Sequence, residues 1–195
     1  MRQTIKTSLI RASRRMLDRG PLRRFVRQQD GAVAVEFGLI AVPFLAIMFA
    51  IMETAVIFFA GQALETAASD SARLIMTGQA QTAGYDKAAF KNQVCARVYG
   101  LFNCQAGVVI DVQKFPNFAA VTLTKPVDAN GNFQDNSTYS PGGPGCITVV
   151  RLFYQWPVYL SLAGFNLSDI SGGKRLLAAT SAFRNEPYAT SSGTC

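Results

Sequence analysis

The sequence predicts an α+β protein, in which a long N-terminal transmembrane helix continues into a small head with a second helix and a roughly four-stranded, mostly antiparallel sheet. Three observations carry this. From Ala32 to Leu64 the only charged residues are Glu36 and Glu53, a run longer than the ~20 apolar residues that cover the ~30 Å hydrocarbon layer. A cluster of arginines stands directly before that run, and all four cysteines stand after it. Beyond residue 105 the apolar residues fall in short alternating runs bounded by Gly, Pro and Asn, which is the pattern of strands.

In chain order, residues 1–31 are basic and polar, with Gly20-Pro21 breaking any helix there. Arg2, Lys6, Arg11, Arg14, Arg15, Arg19, Arg23, Arg24 and Arg27, set against Asp18 and Asp30, account for the whole net charge of +7. The rest of the chain is neutral. Basic residues flanking a span stay on the cytoplasmic side, so the N-terminus is expected in the cytoplasm and the head outside it. The basic pI therefore does not indicate nucleic-acid binding, and no aromatic-rich basic platform accompanies it. A cleaved secretory signal fits poorly: its apolar core would be shorter and its small-residue junction would follow that core, whereas Gly31-Ala32 precedes it.

The helix is expected over residues 32–78, about 45 residues and near 68 Å long. Pro43 removes one backbone donor and predicts a bend near Leu39–Pro43. Past Gly61, Leu64, Ala67, Ala68, Ser71, Leu74 and Ile75 recur at helical spacing, a stripe suited to lie against a soluble domain or another helix. Thr77-Gly78 ends it. The head is assigned to residues 79–195. It has a second helix from Tyr85 to Tyr99, strands at 108–114 and 119–125 joined as a hairpin, and a long, mobile loop at 126–145. A third strand runs from Cys146 to Tyr154, stopped at Trp156-Pro157, and a fourth fits Leu176–Arg184 before Asn185-Glu186-Pro187.

Cys95, Cys104, Cys146 and Cys195 lie on the expected extracytoplasmic side, where an even count favours two disulfides. Zinc would want CxxC-type spacing or histidines, and the chain has no His. Of the three pairings open, Cys95–Cys104 with Cys146–Cys195 is preferred because the first closes a short local loop. Composition alone leaves the other two open.

The residues around Gly31 narrow the class. Prepilin peptidases cut after a Gly that precedes an apolar helix bearing Glu at the fifth mature position. Cleavage after Gly31 would make Ala32 the first mature residue, Glu36 the fifth and Phe37 the sixth. The Glu36-Phe37 pair is similar to the signature of tight-adherence (Flp-type) pilins. Gly31–Gly78, with Ala63-Leu64-Glu65-Thr66-Ala67-Ala68 and Ser71-Ala72-Arg73, resembles the TadE-like family. So do Tyr154-Gln155-Trp156-Pro157 and Phe183-Arg184-Asn185-Glu186-Pro187-Tyr188. That resemblance implies a pilin-like head and a minor pilin or pseudopilin of the Tad system in the bacterial inner membrane, with its head in the periplasm. The partners it implies are the prepilin peptidase, the Flp pilin, other Tad pseudopilins or inner-membrane platform proteins, and membrane lipid.

Glu36 is one helical turn from Ala32 on the same side. Its carboxylate can therefore pair with the new amine of its own chain or of a neighbour. Alternatively it reaches interfacial water. Glu53 lies about 25 Å further along the axis, toward the far interface, and either meets headgroup water or a partner. No enzyme is expected, since His-dependent triads are unavailable and no GxSxG, P-loop or HExxH motif is present. No cofactor or small-molecule substrate is implied. Two other readings share part of the pattern: an uncleaved single-span binding module, which leaves Glu36 unexplained, and a pseudopilin of a type II secretion system.

Overall fold

A 47-residue helix, α1 (Asp30–Met76), is the first described element. The computed structural model describes residues 30–98, 100–162, 165–189 and 195. The expected basic segment through residue 29 lies outside them, as does Tyr99; the second expected helix ends earlier than Tyr99, at Cys95, with Ala96 as its C-cap. The chain divides into two units between Met48 and Phe49, within α1.

In the first unit, beyond its first residue Asp30, α1 is apolar on every side apart from Glu36. Val33, Val35, Phe37, Leu39, Ile40, Val42, Phe44 and Ile47 are all exposed. Pro43 lies inside the helix without ending it, as membrane helices tolerate. Among the described residues α1 is the one helix long and apolar enough to cross a membrane. Its most apolar window has a mean hydropathy of 2.3, and none of that window is buried.

In the second unit the helix acquires sides. Ile57, Ala60, Leu64, Ala67, Ala68, Ser71, Ala72 and Ile75 are buried, which is the three-and-four spacing of a single face. Most are small, so the sheet can approach closely. Ser71 meets this burial by donating its hydroxyl to the carbonyl of Ala67. Against this face pack Phe90 and Val94 of α3 (Lys87–Cys95), Val108, Ile110 and Val112 of β1 (Val108–Phe115), Val150 and Leu152 of β2 (Ile147–Pro157), and Leu177 and Ala179 of β5 (Lys174–Arg184). Fully burying a side chain such as Leu64 or Phe90 contributes about 1.5–3 kcal/mol. Short helices α2 (Gln79–Thr82) and α4 (Cys104–Gly107) complete the connections. Asp86 caps α3 by accepting from the Ala89 N–H at 2.7 Å, so α3 starts two residues later than Tyr85.

The sheet is antiparallel with order β1-β2-β5, and a separate hairpin joins β3 (Ser161–Leu162) to β4 (Phe165–Asn166). The main sheet thus has three strands, and the expected strand at 119–125 is absent. Asn117 accepts from the Ala120 N–H at 2.9 Å, folding Phe118–Ala120 into a 3-10 turn. The place beside β1 is taken instead by residues 138–140. Val112 N–H donates to Thr138 O and Ser140 N–H to Val112 O, both at 2.8 Å. β1 therefore pairs with β2 rather than with its sequence neighbour. β2 also continues through Trp156 and Pro157, beyond the expected stop. Pro157 pairs with Lys174 as the final residue of the strand, a position where its missing N–H is tolerated.

The loop expected over 126–145 is held at several points. Val127 bridges Phe133, Ser171 N–H donates to Gly131 O at 2.8 Å, and Lys87 reaches the Ser137 hydroxyl at 2.7 Å. Residues 124–137 lie over the sheet face opposite α1. Phe133 packs against Phe153 with ring centroids 5.9 Å apart and the ring planes tilted by 59°. Strand register sets Asp111 opposite Arg151 on this face. Arg151 donates to Asp111 through Nε at 2.9 Å and Nη2 at 2.6 Å, and through Nη1 to Thr124 O at 2.9 Å. Asp111 is only 1 % exposed. Burial alone would raise its pKa, but the Thr138 N–H, Arg151 and Gln113 together hold it below the usual carboxylate range.

Removing Asp111 strands a buried guanidinium, so Asp111→Ala should cost about 3–5 kcal/mol, read as a lower denaturant midpoint at pH 7. Because the folded pKa is depressed, the wild-type contribution is complete above about pH 4, the unfolded value. It is lost as pH falls through the folded value. The midpoint difference between the two proteins should accordingly narrow in acid.

Candidate functional site

Gly31, Ala32, Glu36 and Phe37 share the first two turns of α1, and all four are exposed. Glu36 is a carboxylate on an otherwise apolar, exposed surface, with Phe37 beside it 73 % exposed. A charge in that setting is favourable only with a partner or with interfacial water.

Glu53, read from sequence as reaching either water or a partner, has partners. Its Oε1 accepts from the backbone N–H of Tyr159 at 2.6 Å, and its Oε2 from that of Leu160 at 3.1 Å. These donors follow the end of β2. Because they are main-chain groups, no residue type in the sequence marks them as Glu53's partners.

The C-terminal motif fastens the far end of α1. Asn185, 2 % exposed, uses both its main chain and its side chain. Its N–H donates to Cys146 O at 2.8 Å, and Nδ2 donates to Pro141 O at 3.0 Å and Gly143 O at 2.9 Å. Next in sequence, the Glu186 N–H donates to Met76 O at 2.9 Å, satisfying a terminal carbonyl of α1. Gln81 adds a bond from Nε2 to Gly142 O at 3.1 Å. Tyr188 lays its ring on Gly78, where an added Cβ would stand 2.4 Å from the ring. Burial raises the Tyr188 phenol pKa against the opposing bonds to Asn185 and Gln81. The Asn185-Glu186-Pro187 segment thus does more than finish a strand: it ties β5 to the helix end.

The cysteines form Cys95–Cys104 and Cys146–Cys195. The first closes a short loop that carries Phe102 onto Tyr154, with centroids 4.3 Å apart, and onto the edge of Trp156 at 6.3 Å. This gives the Tyr154-Gln155-Trp156-Pro157 motif a packing role. The second joins Cys146, buried just ahead of β2, to Cys195.

Residues 31–73 match the family model described as TadE-like protein. The match begins at the Gly of the expected cleavage site and lies wholly within α1. No curated protein and no solved structure matches the chain.

Gly78 has φ +77°, a left-handed conformation that disfavours a Cβ by about 1–2 kcal/mol. Crowding against Tyr188 adds about 1–3 kcal/mol. Gly78→Ala should therefore lower the thermal midpoint, and Gly78→Ala/Tyr188→Ala should recover the part due to crowding.

Proposed function

We propose that the chain is a minor pilin or pseudopilin taking part in assembly of tight-adherence (Flp-type) pili, matured by prepilin peptidase cleavage after Gly31. The observation that carries this reading is the TadE-like match over residues 31–73. It begins at Gly31 and takes in Glu36, a carboxylate near the start of an exposed apolar helix. The role is structural rather than catalytic. On this reading residues 1–31 are a cytoplasmic leader that the peptidase removes. Residues 32–78 are the span and its amphipathic continuation, and residues 79–195 are the periplasmic head, anchored in the bacterial inner membrane. The Flp pilin, other Tad pseudopilins and platform proteins of that membrane are its partners.

The chemistry assigned to Glu36 follows from its surroundings. Cleavage creates an ammonium at Ala32, and the exposed Glu36 carboxylate compensates it within the chain or in a neighbouring subunit. Either arrangement offsets a charge that the apolar layer penalises.

The decisive measurement is the N-terminal residue and intact mass of the protein from its native membrane. A chain that begins at Ala32 is expected. One that retains Met1 while the peptidase is present would make the protein a fixed, uncleaved membrane module. Glu36→Ala should still be cleaved, yet recover much less of its pilin partners on co-purification. Undiminished recovery would remove Glu36 from that role.

A further inference from the structure

The exposed apolar surface of α1 does not stop where a 20-residue span counted from Ala32 would end. Ile51, Met52, Val56, Phe58 and Phe59 are exposed within the head unit, Phe58 at 69 % and Phe59 at 63 %. Glu53 stands in the middle of this collar. Its carboxylate is turned to the consecutive N–H groups of Tyr159 and Leu160, and Tyr159 is 79 % exposed. No charged residue occurs between Arg151 and Asp169, so the chain following β2 carries no ion to keep it in bulk water.

We propose that the segment clasped by Glu53, led by Tyr159, is a second membrane contact that sits in the outer interfacial layer. Three physical points favour lipid as its occupant. Tyr has an apolar ring and a polar tip, and is enriched at the membrane–water boundary. A main-chain N–H cannot approach the hydrocarbon unsatisfied without a cost of several kcal/mol, and Glu53 satisfies two in succession. The same clasp gives Glu53 hydrogen-bond donors at the depth where an unpartnered carboxylate would be penalised. Position along α1 adds a fourth point: Glu53 follows directly on the residues needed to cross the ~30 Å layer.

The inference rests on α1 spanning a membrane, and the test separates the two. The full-length chain is placed in phosphatidylcholine/phosphatidylglycerol nanodiscs that carry nitroxide lipids labelled either near the headgroup or near the acyl terminus. Tyr159→Trp adds a fluorescent head reporter, with the wild-type chain measured alongside to subtract Trp156. Phe44→Trp, in a separate protein, supplies a span reporter. The shallow label is expected to remove most of the head reporter's emission and the deep label little of it, while the span reporter shows the reverse. Adding Glu53→Ala should relieve the shallow quenching of the head reporter and leave the span reporter unchanged. Head-reporter emission that neither label quenches, while the span reporter is quenched deep, overturns the proposal. If that emission is also blue-shifted, a protein surface covers the segment instead. Quenching that persists in Glu53→Ala overturns the role of the clasp. Failure of deep quenching in Phe44→Trp overturns the span on which the inference stands.

Discussion

One helix has to suit two surroundings, and the burial of its small-residue face is the constraint on which the head depends. From Gly31 through Met48, α1 is apolar all round but for Glu36. From Ile57 to Ile75 it offers one stripe, rich in Ala, to a sheet and a short helix. Alanine lets β1, β2 and β5 come close to the helix axis, and larger residues from the other elements, Phe90 and Ile110 among them, fill the remaining space. Placing the bulk on the sheet and on α3 leaves this part of α1 slim. The consequence is that a short run of small residues lets this part of α1 serve as a wall of the core.

The sheet has two covered faces of different character. Toward α1 it is wholly apolar at its centre. Toward the 124–137 segment it carries the Asp111–Arg151 pair, whose hydrogen bonds reach Thr124 and Thr138. A buried pair of this kind is weak support for stability in itself. Its bonds to main-chain groups of a connecting segment do fix where that segment lies. Polar chemistry here orders a stretch that has few apolar residues of its own to bury, with Phe133 on Phe153 as the main apolar anchor.

Much of the long helix is legible in the sequence because its signals are local: an unbroken apolar run, then a three-and-four stripe, then Thr77-Gly78. The Leu64, Ala67, Ala68, Ser71 and Ile75 positions read from spacing are buried in the core. The strand expected at 119–125 fails because alternation cannot reveal competition. Asn117 bends the chain, and residues 138–140, distant in sequence, occupy the edge that a hairpin partner would need. Trp156-Pro157 misleads for a similar reason, since a proline ends a strand only where its N–H is required. Gly31, Ala32, Glu36 and Phe37 are singled out by their order in the sequence, and the TadE-like match begins at the first of them. The partners of Glu53 cannot be found in this way, because a main-chain N–H has no signature in a sequence. Nor can the fastening of Glu186 to Met76 or of Tyr188 to Gly78.

The Cys146–Cys195 bond determines how the head would bear a load. Cys146 stands immediately before β2, the central strand, and β5 is an edge. Tension arriving at Cys195 enters a covalent link to the middle of the sheet instead of running back through the chain into the end of β5. An edge strand pulled from its end comes away one hydrogen bond at a time, whereas a pull delivered at the central strand is opposed by bonds on both flanks together. A head built this way can be pulled at Cys195 without β5 being unzipped from its end.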